Sequence, residues 1–547
     1  MKGNKLALAH TRWATHGKPT KENAHPHLDE KNTLALVHNG IIENHEVLRR
    51  DLKAKGVKFL SDTDSEVIAH LIAKDFEEDL LGAVQRSLPL LEGSFAIGVI
   101  HEKEPNTIIA FCKDAPLAVG MNEGVTYLSS DPNAFPSEVK NVVFLSNGEI
   151  ARLQAGVLEL FDGDLTPIQR ESLIIERHDQ VFSKGDYEHY TLKEIDEQPM
   201  AIRNALFNRT HYDFGTATLE GLNLSIHELL EVERVLILGC GTSYHAGIIG
   251  AMMIEELARV PTQIEIASEY RYSNPIVLPG TLVIAISQSG ETADTVAAVR
   301  ELKTKGAPVL WIGNVQGSTL AREADGALFL RAGPEIGVCS TKAFTNQVVV
   351  LSLFALMMGR MRHLSRDEGK AFLDCLMRLP DEVQTILDRK GDIAKLAKKY
   401  AKYDNFFFLG RRYMYPVSLE AALKLKEISY INANGYPAGE LKHGPIALIN
   451  ESCPTVAFTT NQTTFPKMKS NLQEVKARHG LVLAVSSVDH RALDGVADDL
   501  IQVPQTIDPL ASVLASVAGQ LLAYYIALER GANIDQPRNL AKAVTVE

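Results

Sequence analysis

The helix-like stretch LEAALKLKEISYI sets Glu420, Lys424 and Glu427 at i, i+4 and i+7. On a helix turning 100° per residue, the three lie within about 60° of one another on one face. A carboxylate and an amine fixed side by side can shuttle a proton. A solvated salt-bridge ladder has the same pattern, although the interleaved Leu419, Ala422, Leu423 and Ile428 set this stripe at the border of a core. Downstream, AGELKHGPIAL holds His443 on a loop between Gly439 and Pro445, either as a general acid or as a solvated histidine. The chain ends DQPRNLAKAVTVE, apolar and β-branched where most termini are polar. Such a tail packs and carries Lys542 with it, and a buried lysine, its pKa lowered, can form a Schiff base with a carbonyl.

Two further stretches join a strand to a helix. In ISQSGETADT, Ser289 and Thr292 stand where unpaired backbone N–H groups favour an anion, and Gly290 allows close approach. A capped helix start has the same form, but GCGTS in the matching place of the preceding unit favours a phosphate pocket. GCGTSYHAG is by itself a weak fingerprint, equally a tight turn. Nothing marks a base for Cys240, which reads as a pocket wall rather than a nucleophile. At the other end of the chain, HTRWATHG, NAHPH, HNGIIENHEVLR and SDTDSEV are rich in histidine, yet no spacing fits a metal motif. HNG reads as a turn whose donors could form an oxyanion hole. Asp64 could hold an α-amino group and Arg12 could fork onto a carboxylate, which together fit an amino-acid pocket. The nearest cysteine, Cys112, lies in a strand-like run.

These residues need a scaffold, and the chain of 547 residues is long enough for several domains. Up to about 165, short runs (LALAHTR, TLALVHNG, SFAIGVI, TIIAFC, NVVFLS, IARLQ, VLELF) flank one helix pattern, SEVIAHLIAKDF, which predicts a strand-rich α+β domain. From 166 to 225 the chain is polar and reads as a linker that partly folds. After 226, strand and helix patterns alternate, as in α/β domains with parallel sheets. Gly239 and Gly410 are 171 residues apart, and so are Glu269 and Glu440. The common offset predicts a duplication, 226–392 and 393–535, with a tail over 536–547. SQSGET in the first copy stands against TTNQTT in the second, so the ligand duties of the copies have diverged.

Net charge is −12, which argues against a nucleic-acid surface. VVVLSLFALMMG is a buried helix rather than a membrane span. The start of the chain has no apolar signal core. Five scattered cysteines without a CxxC make a disulfide framework improbable and point to the cytoplasm.

HTRWATHG, HNGIIEN, SDTDSEV, CGTSYHAG, SQSGETADT, EIGVCSTKAFT, LEAALKLKEISYI, GELKHGP and DQPRNLAKAVTVE together, in order and over the whole chain, resemble the glutamine–fructose-6-phosphate aminotransferase (isomerising) family. The resemblance implies an Ntn-hydrolase glutaminase domain and two sugar-isomerase (SIS) domains. It implies that Arg12, Thr15, His16 and Asp64 bind glutamine, that Asn39 and Gly40 form the oxyanion hole, and that Trp13 gates an ammonia channel. Ser287, Gln288, Ser289 and Thr292 would hold the sugar phosphate, with Cys240, Thr242, Ser243, Val338 and Ala541 lining the sugar. Lys542 would form the Schiff base, Glu427 assisted by Lys424 would move a proton between C1 and C2, and His443, supplied by the neighbouring subunit of a dimer, would open the ring. No metal or organic cofactor is expected.

Members of that family begin, after Met removal, with a nucleophilic cysteine whose own α-amino group is its base. This chain begins Met-Lys-Gly-Asn-Lys. The expectation is therefore an N-terminally truncated domain and a chain without glutaminase activity. Three functions follow: an aminotransferase making glucosamine 6-phosphate and glutamate from fructose 6-phosphate and glutamine, at the head of UDP-N-acetylglucosamine synthesis; an ammonia-dependent synthase or phosphosugar isomerase; and a phosphosugar-binding regulator.

Overall fold

The computed structural model describes residues 6–11, 18, 20–174 and 183–545. It divides into two units, one of 1–181 with 291–293 and 543–547, the other of 182–290 and 294–542.

In the first unit, a seven-stranded sheet runs in the order His27–Leu28, Leu34–Ile42, Gly93–His101, Ile108–Lys113, Ile150–Gln154, Val157–Phe161, Pro167–Ile168. A second sheet orders Leu173–Ile174, Asn141–Phe144, Ala118–Asn122 and Val125–Ser129. All pairings in both are antiparallel. Alternation drives the long strand: Leu34 and Leu36 are buried and the residues between them are not. The helix Ser65–Lys74 lays Val67, Ile68, Leu71 and Ile72 into the same core. Two expectations fail here. The described part of LALAHTR, residues 6–11, forms no strand. HNG is not a turn: it lies inside Leu34–Ile42, with Asn39 opposite Ala96 and Gly40 opposite Phe95. Asn-Gly is a hairpin signal only where a partner strand follows directly, and this strand's partner begins at Gly93.

The second unit holds two five-stranded parallel sheets. One orders Thr262–Ile266, Arg234–Gly239, Thr281–Ile286, Val309–Gly313, Gly326–Phe329; the other orders Asn432–Pro437, Asn405–Gly410, Thr455–Phe458, Val482–Ser486, Asp499–Gln502. The strand order is the same in both, and Arg234–Gly239 and Asn405–Gly410 keep the offset of 171. The anchoring glycines have a steric reason. A Cβ on Gly239 would stand 2.9 Å from the backbone of Ser243 and Tyr244, and one on Gly410 would stand 1.8 Å from Met414 O. Each lets its following helix turn back tightly onto the strand.

The helices Lys342–Arg362 and Asp508–Glu529 are apolar all round and buried, as core helices must be. One continuous apolar cluster joins them to both sheets. The polar stretch read as a linker contributes as well: the helices Tyr190–Asp196 and Gln198–Leu206 bury Ile195, Ala201, Ile202 and Ala205 in that cluster. Parallel sheets of this order bind ligands beyond the carboxyl ends of the strands, where the strand order reverses. In the first sheet those ends carry the loops at 240–241 and 287–292.

Candidate active site

The helix Met414–Ser429 carries the Glu-Lys-Glu stripe, and the stripe is no solvated ladder. Glu420 and Lys424 are both 1% exposed. Lys424 Nζ lies 3.3 Å from Glu420 and 2.9 Å from Glu427. It also donates to Thr242 Oγ1 at 2.9 Å, and that hydroxyl donates to Glu420 Oε1 at 3.1 Å. Thr242 opens the helix Thr242–Ala258 of the first SIS-like half, so the two halves meet at this hydroxyl. His245, one turn on, places Nδ1 2.7 Å from Glu420 Oε2. Burial pushes Glu420 up, but the Lys424 ammonium and His245 outweigh it and hold the carboxyl below its ordinary range. Burial likewise pushes Lys424 down, and Cys339, Glu420 and Glu427 outweigh that, holding the ammonium well above its usual value. The acid–base reading of the stripe therefore gains a buried, charged lysine with a carboxylate on either side. His245 and the burial of Glu420 left no mark in the sequence.

Lys542 sits differently from expectation. Its side chain is 24% exposed rather than buried, and Leu540 and Val544 beside it are exposed. Polar contacts hold the tail. Lys542 Nζ donates to Glu335 Oε2 at 2.6 Å and to Gly337 O at 2.8 Å. The Val544 carbonyl accepts from Ala293 N at 3.0 Å. Glu335 is fully enclosed, and its other oxygen accepts from the N–H groups of Thr341 (2.8 Å) and Ala343 (3.1 Å), at the start of the helix Lys342–Arg362. Burial pushes the Glu335 carboxyl up, and the Lys542 ammonium with these N–H groups more than offsets it, down to about 2. Cys339 is buried. Burial drives its thiol well up, and the charges of Lys424, Glu427, Glu420 and Lys542 all act on it.

The loop after Thr281–Ile286 is tightly built. Ser287 Oγ accepts from Gly290 N at 3.1 Å, and Trp311 Nε1 donates to Ser287 O at 3.1 Å. Gln288 O accepts from Asn314 N and Gly290 O from Leu320 N. Thr292 immediately precedes the helix Ala293–Thr304. Across the sheet's switch point, Cys240 places Sγ 4.0 Å from Thr295 Oγ1. Burial raises its thiol above its ordinary value. Ser243 Oγ accepts from Gln347 Nε2 at 3.0 Å, and Val338 N donates to Asp535 O at 3.1 Å. Ala541 is half-buried.

In the second half, the matching loop follows Thr455–Phe458 and is occupied from within. Asp508, first residue of the helix Asp508–Glu529, accepts from Gln462 N at 2.8 Å and from Thr463 Oγ1 at 2.7 Å.

Residues 228–357 and 399–530 match the SIS domain family, and residues 10–137 match the glutamine amidotransferase domain family. A glutamine–fructose-6-phosphate aminotransferase (isomerizing) of Methanosarcina acetivorans is 46% identical over 557 residues, covering 100% of this chain and 90% of that protein. A protein of the same name from Thermus thermophilus is 46% identical over 543 residues, covering 99% and 89%. The chain belongs to the glutamine–fructose-6-phosphate aminotransferase family. Among solved structures, the C-terminal domain of the glucosamine-fructose-6-phosphate aminotransferase of Francisella tularensis covers 65% of this chain and 100% of its own, at 39% identity and TM-score 0.61. The tagatose-6-phosphate ketose/aldose isomerase of Escherichia coli shares the fold at 21% identity and TM-score 0.54, covering 64% of this chain and 96% of its own.

The aminotransferase reading is thus the one the relatives support, and neither the ammonia-only synthase or isomerase nor the regulator is favoured. The expected N-terminal truncation is not borne out by these matches, which run over the whole of this chain. Of the residues that the aminotransferase resemblance links to glutamine, Arg12, Trp13, Thr15 and His16 lie outside the described residues. Asn39 and Gly40 sit mid-strand. Asp64 is buried and accepts from Ile42 N at 2.8 Å, which ties it to the end of that same strand. Cys112 is a core residue. His443 ends a 3-10 turn, Ala438–His443, rather than lying in an open loop. Its side chain is exposed and makes no hydrogen bond among the described residues, so the structure does not bring it to Lys542 or Glu427.

Proposed function

We propose that this chain makes glucosamine 6-phosphate and glutamate from fructose 6-phosphate and glutamine, in the cytoplasm and as a homodimer. The observation that carries this reading is Thr242 of the first SIS domain clamped between Glu420 and Lys424 of the second. It makes one buried acid–base centre out of both halves.

In this reading Ser287, Gln288, Ser289 and Thr292 seat the sugar phosphate, and Cys240, Thr242, Ser243, Val338 and Ala541 line the sugar. Hydroxyls and backbone N–H groups at a helix start suit a phosphate in a chain of net negative charge. His443 opens the ring from the partner subunit, which agrees with its exposed, unbonded state in this one. Lys542 attacks the ketose carbonyl at C2. Glu427, one oxygen 2.9 Å from the Lys424 ammonium, carries the proton between C1 and C2, and Lys424 holds that carboxylate in place. Glutamine is held on Asp64, with Arg12, Thr15 and His16 from the same motif set, Asn39 and Gly40 face its amide, and Trp13 gates the path of the ammonia.

Lys542→Arg tests the reading, since it keeps the charge but cannot form an imine. The variant is expected to lose product formation while fructose 6-phosphate still raises its melting temperature. In the wild type, borohydride with substrate is expected to leave a sugar adduct on Lys542, found by mass spectrometry. A variant that retains synthesis, or an adduct on another lysine, sinks the assignment.

A further inference from the structure

An amine that attacks a carbonyl must first be neutral, and Lys542 rests as one half of a close ion pair. Whatever removes its proton must touch Nζ and be unable to leave with the product. One group does both. Glu335 Oε2 stands 2.6 Å from Lys542 Nζ. Its other oxygen is pinned by the N–H groups of Thr341 and Ala343 at the start of a buried helix, and Ser340 Oγ donates to Oε2 at 3.1 Å. The carboxylate is thereby held rigid, with Oε2 aimed at the amine.

The segment that carries Glu335 is fixed from a second direction. Glu194, on the helix Tyr190–Asp196, is buried, and its Oε1 accepts from the backbone N–H of Ile336 and, at 3.2 Å, of Gly337. That helix is capped by Asp535, whose carboxylate accepts from Tyr190 N at 2.8 Å and Thr191 N at 2.9 Å, seven residues before Lys542. One short helix therefore holds both the acid-bearing segment and the root of the lysine-bearing tail.

We infer that Glu335 is a catalytic residue, the base that takes the Lys542 proton before imine formation and the acid that returns it; the inference rests on the Schiff-base reading of Lys542. The proton on Lys542 Nζ passes to Glu335 Oε2. The freed lone pair forms the N–C2 bond as the C2–O π pair moves to oxygen, and that oxygen takes the second amine proton, giving a neutral carbinolamine. Glu335 then returns its proton to the C2 hydroxyl, which leaves as water while the nitrogen lone pair closes the C=N bond. The products are a cationic imine and a restored Glu335 carboxylate, so the buried carboxylate faces a positive nitrogen at the start and at the end.

The energetics agree with this cycle. The enclosed carboxylate stays ionised because the ammonium is beside it, against the burial that pushes its proton affinity up. Neutralising Nζ removes the ammonium's share of that restraint, so burial weighs more toward a protonated Glu335 against the N–H groups of Thr341 and Ala343. Burial and Glu335 in turn raise Glu194, to about 7. Transfer converts an ion pair to a neutral pair, which the enclosed Glu335 carboxyl tolerates better than an unpaired charge.

The test is the rate at which cyanoborohydride traps fructose 6-phosphate on Lys542 in the full-length protein. Glu335→Gln is expected to slow trapping about a hundredfold, the usual worth of a positioned base, while the melting shift given by fructose 6-phosphate and the KM stay within about threefold of wild type. Glu335→Asp keeps the charge that the fold needs but draws the oxygen back from Nζ; it is expected to slow trapping at least about tenfold. Trapping within about twofold of wild type in whichever variant folds overturns the inference, and so does a loss confined to KM. A wild type with no adduct on Lys542 overturns the Schiff-base reading instead.

Discussion

At the scale of single residues, the buried lysine makes the sharpest distinction between stability and chemistry. Removing one member of a buried ion-paired set strands the others at a cost of about 3–5 kcal/mol. Lys424→Met is therefore expected to lower the unfolding free energy by that amount, read from denaturant titration, since Glu420 keeps only His245 and Thr242. Glu427 is less enclosed, its side chain 20% exposed. Glu427→Gln leaves Lys424 the Glu420 carboxylate and should cost less stability than Lys424→Met, yet lower product formation by about 10²–10⁴ if the carboxylate moves the proton. Equal losses of stability in both variants would remove the division of roles. In the first unit, Glu66 couples folding to pH. It accepts from Leu60 N and Ser61 N at 2.7 Å and from Ser61 Oγ at 2.6 Å. Burial pushes it up, and His70 with these donors prevails, taking it from 4.5 to about 2. Its contribution to stability is complete above pH 4.5 and is lost as pH falls toward 2. Glu66→Gln should therefore flatten that acid limb, as melting temperatures across the window will show.

At the scale of elements, the loop proposed to seat the phosphate depends on a glycine. Gly290 has φ +67°, and a Cβ there would stand 2.1 Å from Ser318 Oγ. Gly290→Ala is expected to abolish the thermal shift given by fructose 6-phosphate while the rest of the fold persists, and an undiminished shift would count against the loop as the phosphate seat. Loops of this kind were legible in the sequence because strand, small residues and helix start follow one another locally, and the duplication was legible because two glycines answer the same steric need. The Glu-Lys-Glu face followed from helical periodicity. The sequence did not reveal what those residues meet. Glu335 stands 207 residues before Lys542, and Glu194 lay in a stretch read as linker, so no local spacing could pair them. HNG went wrong for a related reason, because a strand's partner beginning at Gly93 is invisible from residues 38–40. The tail was misjudged by composition: its valines are apolar, but Lys542 and a backbone carbonyl anchor it.

At the scale of the whole molecule, residues 183–547 contain both parallel sheets, their shared apolar core and the tail. This segment expressed alone should fold and bind fructose 6-phosphate, and sugar at a hundred times its Kd should add about 2.7 kcal/mol of stability. A segment that melts at the same temperature with and without millimolar sugar would show that the pocket needs more of the chain. The duplicated architecture also bears on how many sugars that segment takes up. Asp508 fills the second half's copy of the phosphate loop with a carboxylate that belongs to the chain itself. A tethered anion of this kind competes intramolecularly with any free anion for the same donors. On the proposed reading, the second repeat takes no sugar there and instead supplies acid–base groups to the first. Calorimetric titration should accordingly give one fructose 6-phosphate per chain, and the asymmetry between two halves of one ancestry comes down to which of them brings its own anion.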